Sequence, residues 1–113
     1  MTLEVYLDIQ LKKGLLEICV LASLSSEQSY GYKIMTELSS ILEISESTLY
    51  PILKRLEHAC LLSTKQIVHN GRLRKYYQIT NQGKQKLIDY GKDIENLHKV
   101  TQFVKDKLYT GNQ

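Results

Sequence analysis

Leu62-Ser63-Thr64-Lys65-Gln66-Ile67-Val68, His69-Asn70-Gly71-Arg72 and Leu73-Arg74-Lys75-Tyr76-Tyr77-Gln78-Ile79-Thr80 follow one another without a break, and the fold turns on them. Both outer runs are rich in β-branched and aromatic residues, which fit a pleated, half-buried surface. Asn-Gly between such runs is the strongest short hairpin signal, because both residues tolerate the positive φ of a two-residue loop. Alternation puts Tyr76 and Tyr77 on opposite faces, so one of them is expected in the core.

Upstream of the hairpin the period is helical. From about Asp8 to Leu24, the residues Leu11, Leu15, Ile18, Cys19 and Ala22 recur at the spacing of one buried helix side. Ser25 to Gln28 reads as a polar turn, and Ser29 as the N-cap of a second helix. Tyr30, Ile34, Leu38 and Leu42 then recur every four residues, widened by Met35 and Ile41, and Gly31 in the first turn lets another backbone approach closely. Ser45 is the candidate cap of a third helix whose inner stripe is Leu49, Ile52, Leu53 and Leu56. Its opposite side presents Ser47, Thr48, Tyr50, Pro51, Lys54 and Arg55. Pro51 cannot donate an amide and crowds the preceding turn, so the regular helix either begins nearer Ser47 or kinks. Three helices and a hairpin make a mainly α fold with a small β wing, a winged helix-turn-helix.

Downstream, Thr80 is placed to cap a long helix from about Asn81 to Tyr109. Leu87, Tyr90, Ile94, Leu97, Thr101, Val104 and Leu108 follow a 3,4,3,4,3,4 spacing along it. Such a helix is roughly 40 Å long, more than a domain of this size can cover. Its apolar seam needs a partner, for which an identical chain is the simplest choice. A helix bent back onto its own domain is the alternative.

A chain of 113 residues fits one compact unit, and 42% hydrophobic with 24% charged residues is ordinary for a globular protein. Apolar runs are too short to span a bilayer, and the first residues carry no basic n-region of a secretory signal. Cys19 and Cys60 both fall in apolar helical patterns and are expected as buried reduced thiols rather than a redox switch, which points to the cytoplasm. None of the three histidines, His58, His69 and His98, stands in a metal-ligand pair, and His58-Ala59-Cys60 lacks a second pair of ligands. No nucleophile elbow, phosphate loop or dinucleotide fingerprint is present. Neither an enzyme nor a cofactor site is expected.

The net charge of +3 is uneven. Residues 1–44 are net acidic, whereas residues 45–80 hold six Lys/Arg against Glu46 and Glu57 alone. On the third helix, the short hydroxyls of Ser47 and Thr48 allow close approach to a major groove. Tyr50, Lys54 and Arg55 extend that face toward base edges or phosphates. On the hairpin, Arg72, Arg74 and Lys75 lie beside Asn70-Gly71, where a basic ribbon can contact phosphates or enter the minor groove. Tyr30 at a helix start can donate its hydroxyl to a phosphate, although aromatic packing is the default reading. The two basic features together favour double-stranded DNA as partner. They divide the chain into a winged-helix DNA-binding domain over 1–80 and a C-terminal dimerisation helix over 81–113. A winged helix used for protein contacts, its seam binding a different protein, is the competing reading.

Tyr30-Gly31-Tyr32-Lys33-Ile34, Ser47-Thr48-Leu49-Tyr50-Pro51-Ile52-Leu53-Lys54-Arg55-Leu56-Glu57, and Gly71 to Thr80 with Gly83 resemble the PadR-like transcriptional regulators. The resemblance implies a winged-helix repressor that dimerises through its C-terminal helix and binds a two-fold related operator. The single helix after the wing is similar to the short subgroup, whose members often respond to small molecules. Carried over residue by residue, the DNA-facing positions are Ser47, Thr48, Tyr50, Lys54 and Arg55, with the wing at Arg72, Arg74 and Lys75. Ser47 stands where the family often has glycine, and His58-Ala59-Cys60 replaces the usual acidic-glycine helix end. Some members hold planar aromatic drugs between the C-terminal helices with the help of a tryptophan. This chain has no Trp and offers Tyr90, Ile94 and Leu97 there, so strong aromatic stacking is not expected and an effector stays unidentified.

Overall fold

The computed structural model describes the backbone of residues 3–110 and the side chains of residues 13–109. The elements run α1 (Leu3–Ser23), β1 (Ser29–Tyr30), α2 (Gly31–Leu38), α3 (Glu46–His58), β2 (Leu62–His69), β3 (Arg72–Ile79) and α4 (Asn81–Thr110). This is a winged helix-turn-helix followed by one long helix.

The hairpin forms where the turn chemistry dictates. Asn70 (φ 52°) and Gly71 (φ 78°) are both left-handed, the requirement of a type I′ loop whose twist matches the strands. Pairing then runs unbroken from His69 opposite Arg72 to Leu62 opposite Ile79. A third strand was not expected. β1 pairs antiparallel with β3, Tyr30 opposite Tyr76, giving the order β1-β3-β2. Ser29 is therefore not a helix cap. It is buried in the sheet, and Tyr30 holds the N-cap position in extended conformation with no side-chain cap bond.

One core joins Leu16, Val20, Leu21 and Leu24 of α1, Ile34 and Leu38 of α2, the inner stripe of α3, Leu62 and Tyr77. The buried side of α1 differs from the expected one. Leu15, Ile18 and Cys19 are half-buried and Ala22 is exposed, while the side chain of Leu11 lies outside the described residues. This helix is apolar on two sides, and its Leu15–Ile18 side meets α4 instead of the core. The helix also starts well before Asp8.

α2 stops at Leu38, short of the pattern that ran to Leu42. Ser39 and Ser40 turn their hydroxyls back onto the Thr36 and Glu37 carbonyls, a local alternative that loosens a helix end. Leu42 still reaches the core, but Ile41 is exposed. α3 continues through Pro51, so the proline neither starts nor ends it. The Ser47 carbonyl thereby loses its usual i+4 donor.

α3 ends in a Schellman turn. The Leu61 amide donates to the Leu56 carbonyl and the Cys60 amide to Glu57, with Cys60 left-handed at φ 63°. Cys60 is thus an exposed turn residue, not a buried helical thiol. The turn leads directly into α4. The Thr80 hydroxyl donates to the Cys60 carbonyl at 2.7 Å and accepts the Gly83 amide at 3.0 Å, capping α4 as its sequence foretold. Gly83 is buried because the Leu61 carbonyl occupies the space a β-carbon would need.

Leu87 and Tyr90, in the first turns of α4, pack on the core. Ile94 and Leu97 still line a groove with α1; beyond them the helix leaves the domain, and the molecule measures 65 Å along its longest axis. Ile94, Leu97, Val104 and Leu108 are exposed, joined by Val100 and Phe103. The helix does not bend back onto its own domain.

Candidate nucleic-acid interface

Helix α3 presents two unlike sides. Leu49, Ile52, Leu53 and Leu56 are buried, which fixes the helix in rotation about its axis. Ser47, Pro51, Lys54 and His58 follow an i, i+4, i+7, i+11 row and are all exposed. His58 belongs to this row although its role was not read from the sequence; the same spacing that placed Lys54 would have found it. Lys54 has no ion-pair partner among the described residues. At the start of the helix, Ser45 Oγ lies 2.9 Å from Ser47 Oγ and 3.1 Å from Thr48 Oγ1. Three hydroxyls are clustered there; Ser45 holds the expected N-cap position in extended conformation, but its hydroxyl bonds no backbone amide.

Tyr50 leans off this row toward α2. A β-carbon at Gly31 would stand 2.5 Å from its hydroxyl, so the close neighbour there is a side chain and not the expected backbone. The ring, 43% exposed, walls a groove of about 460 Å³ together with Tyr30, Tyr32, Leu73, Arg74 and Lys75. This groove separates α3 from the wing.

Arg55, placed on the DNA-facing side by its sequence position, keeps 38% of its side chain exposed and reaches back to α1. Its guanidinium is ion-paired with Glu17 of α1, whose side chain is only 18% exposed, and its Nε donates to Oε1 at 2.7 Å. The second oxygen of Glu17 accepts a longer contact, 3.5 Å, from the Tyr90 hydroxyl on α4. Burial first, and the Glu17 carboxylate next, push the Tyr90 phenol above its ordinary value.

The wing's basic residues do not form one cluster. Alternation along β3 separates Arg72, Arg74 and Tyr76 from Leu73, Lys75 and Tyr77. Arg72 is exposed beside the loop. Arg74 is half-buried, its guanidinium stacked 4.1 Å over the Tyr30 ring, which in turn meets Tyr76 edge-on at 5.4 Å. Tyr30 is therefore the middle of an aromatic–cation stack. On the other face Lys75 is 3.4 Å from Glu57, and Tyr77 is the core tyrosine of the pair. Burial pushes its phenol upward, against the opposing effect of Lys75. Val68 and Leu73, directly opposite each other next to the loop, are both exposed.

Among the described residues no group of His, Cys, Asp and Glu could hold a metal ion, and no helix is long and apolar enough to cross a membrane.

With this geometry in view, comparison with known proteins is specific. The family model for the transcriptional regulator PadR-like family matches residues 20–89. A Lysinibacillus sphaericus protein is 30% identical over 101 residues, covering 85% of this chain and 93% of its own. Among solved structures, smu.1704 from Streptococcus mutans UA159 is 41% identical with a TM-score of 0.71, covering 88% of this chain and 90% of that one. A PadR family transcription regulator from Clostridium difficile R20291 is 31% identical (TM-score 0.73, covering 79% and 97%). A PadR family regulator from Eggerthella lenta DSM 2243 is 30% identical (TM-score 0.71, covering 94% and 92%). The chain belongs to the PadR-like family of DNA-binding transcriptional regulators.

Proposed function

We propose that this protein is a cytoplasmic, sequence-specific repressor that binds a two-fold related operator as a homodimer. One observation carries the reading. The exposed row Ser47, Pro51, Lys54 stands on a helix whose other side is locked into the core, with a basic wing next to it. In this arrangement residues 1–80 read the duplex and residues 81–113 pair two chains. Ser47, Thr48 and Lys54 face base edges in the major groove, and Tyr50 flanks them. Arg72 reaches phosphates or the minor groove, with Arg74 and Lys75 supporting the ribbon. Arg55 acts through its ion pair, by holding α3 in place. Ile94, Leu97, Thr101, Val104 and Leu108 form the dimer seam, with Leu87 and Tyr90 at its root. An effector, of unidentified chemistry, would sit near that root, where a mainly apolar groove of about 240 Å³ runs between α1 and α4.

The test is fluorescence anisotropy with duplex from the protein's own promoter region against random duplex, across a salt series. Tighter binding to the promoter, weakening steeply with salt, is expected. Equal affinity for both, or no salt dependence, sinks the proposal. Sedimentation of the free protein checks the assembly; a stable monomer without DNA binding would favour a seam that serves a different protein.

A further inference from the structure

Glu17 does more than hold Arg55, because it also contacts the helix that carries the proposed seam. Its carboxylate lies between three helices. One oxygen holds Arg55 of the recognition helix, and the other is approached by Tyr90 at the root of the seam helix. Tyr90, with Leu15, Ile18, Ile94 and Leu97, also lines the apolar groove between α1 and α4. A carboxylate this buried stays favourable only while its partners stay in place, so movement of one partner is felt by the other.

We infer that Glu17 is a positioning residue, a shared acceptor that couples the placement of α4 to the placement of the recognition helix. The inference rests on the DNA-binding reading of α3. A shift of Tyr90, whether from a change in the seam or from a molecule in the groove, alters the acceptor geometry that Arg55 depends on. Arg55 is in the third turn of α3, one residue beyond Lys54. A small displacement of the helix as a body, without rotation about its own axis, re-aims Ser47, Thr48 and Lys54 more than Arg72, which stands at the far end of the hairpin. The device therefore acts on sequence preference more than on general affinity for phosphates.

A double-variant cycle tests it, using full-length wild type, E17Q, Y90F and E17Q/Y90F. The measurement is the ratio of affinities for promoter and random duplex, with thermal unfolding as a folding control. E17Q should lower the ratio about tenfold, in line with the loss of one charge-assisted hydrogen bond. Y90F should lower it about threefold, and the double variant should match E17Q alone. Independent, multiplying effects would overturn the inference. So would equal losses on promoter and random duplex, because a merely structural role weakens both alike. A second arm needs no DNA: the Nε–H resonance of Arg55, followed by NMR, should move in Y90F and not move further in E17Q/Y90F relative to E17Q. An unmoved resonance in Y90F refutes the coupling. Wild-type protein that fails to distinguish promoter from random duplex refutes the DNA reading instead, and the NMR arm then decides the coupling by itself.

Discussion

Gly31 and Gly83 both lie in first turns of helices, yet a β-carbon would meet different obstacles at each. At Gly31 it meets the end of the half-exposed Tyr50 side chain, which can swing away. At Gly83 it meets the Leu61 backbone carbonyl, which cannot. Gly83→Ala is expected to cost about 3 kcal/mol and Gly31→Ala less than about 1 kcal/mol, measured by urea unfolding. Equal costs would show that Tyr50 is as fixed as the backbone. Not all of this was readable in advance. Gly31 announced a close approach by standing in an otherwise apolar-periodic turn, but nothing local says that Tyr50 is the neighbour. The Glu17–Arg55 pair was hidden for the same reason, since its members lie 38 positions apart and each looks like an ordinary surface charge. Cys60 misled because a Schellman turn usually carries glycine at that position, and a cysteine there continues the apolar pattern instead of ending it.

At the level of elements, legibility followed the length and strength of the local signal. The hairpin was fully readable because its turn type admits few residue pairs, and Thr80 because a cap needs one hydroxyl at one place. β1 has two residues, too few for any period, and exists only because β3 offers it an edge. The outer half of α4 was readable as a helix with one apolar face, broken only by Thr101, and the structure leaves that face exposed. Leu97→Glu on that seam is expected to weaken self-association by about 10²–10³-fold, as each of two symmetric leucines gives up roughly 2 kcal/mol of burial. The winged helix should keep its fold, because Leu97 lies outside the core. Sedimentation equilibrium with circular dichroism checks both halves of that expectation, and unchanged association would remove Leu97 from the interface.

The whole molecule carries a charge and proton balance that sets its tolerance of alkali. Burial raises the phenol values of both Tyr77 and Tyr90 above the usual value of about 10. The folded chain thus holds these protons more firmly than the unfolded one. Their contribution to stability is complete below about pH 10 and is lost as pH rises through the higher folded values. Urea midpoints should fall over that range, and Tyr90→Phe should make the fall shallower. A fall of unchanged steepness would assign the alkaline loss to other groups. The reach of α4 has a mechanical meaning of its own. At about 45 Å it is a lever arm that carries the winged helix at one end and, in the proposed dimer, the pairing seam along the other. In that dimer, a change of about 5° in how two such arms cross, about 30 Å from the winged helices, displaces each winged helix by about 3 Å. That is about a tenth of the roughly 34 Å between successive major grooves on one side of a duplex, and about the length of one hydrogen bond to a base edge. A twist too small to disturb either core would throw the two reading heads out of step with the DNA.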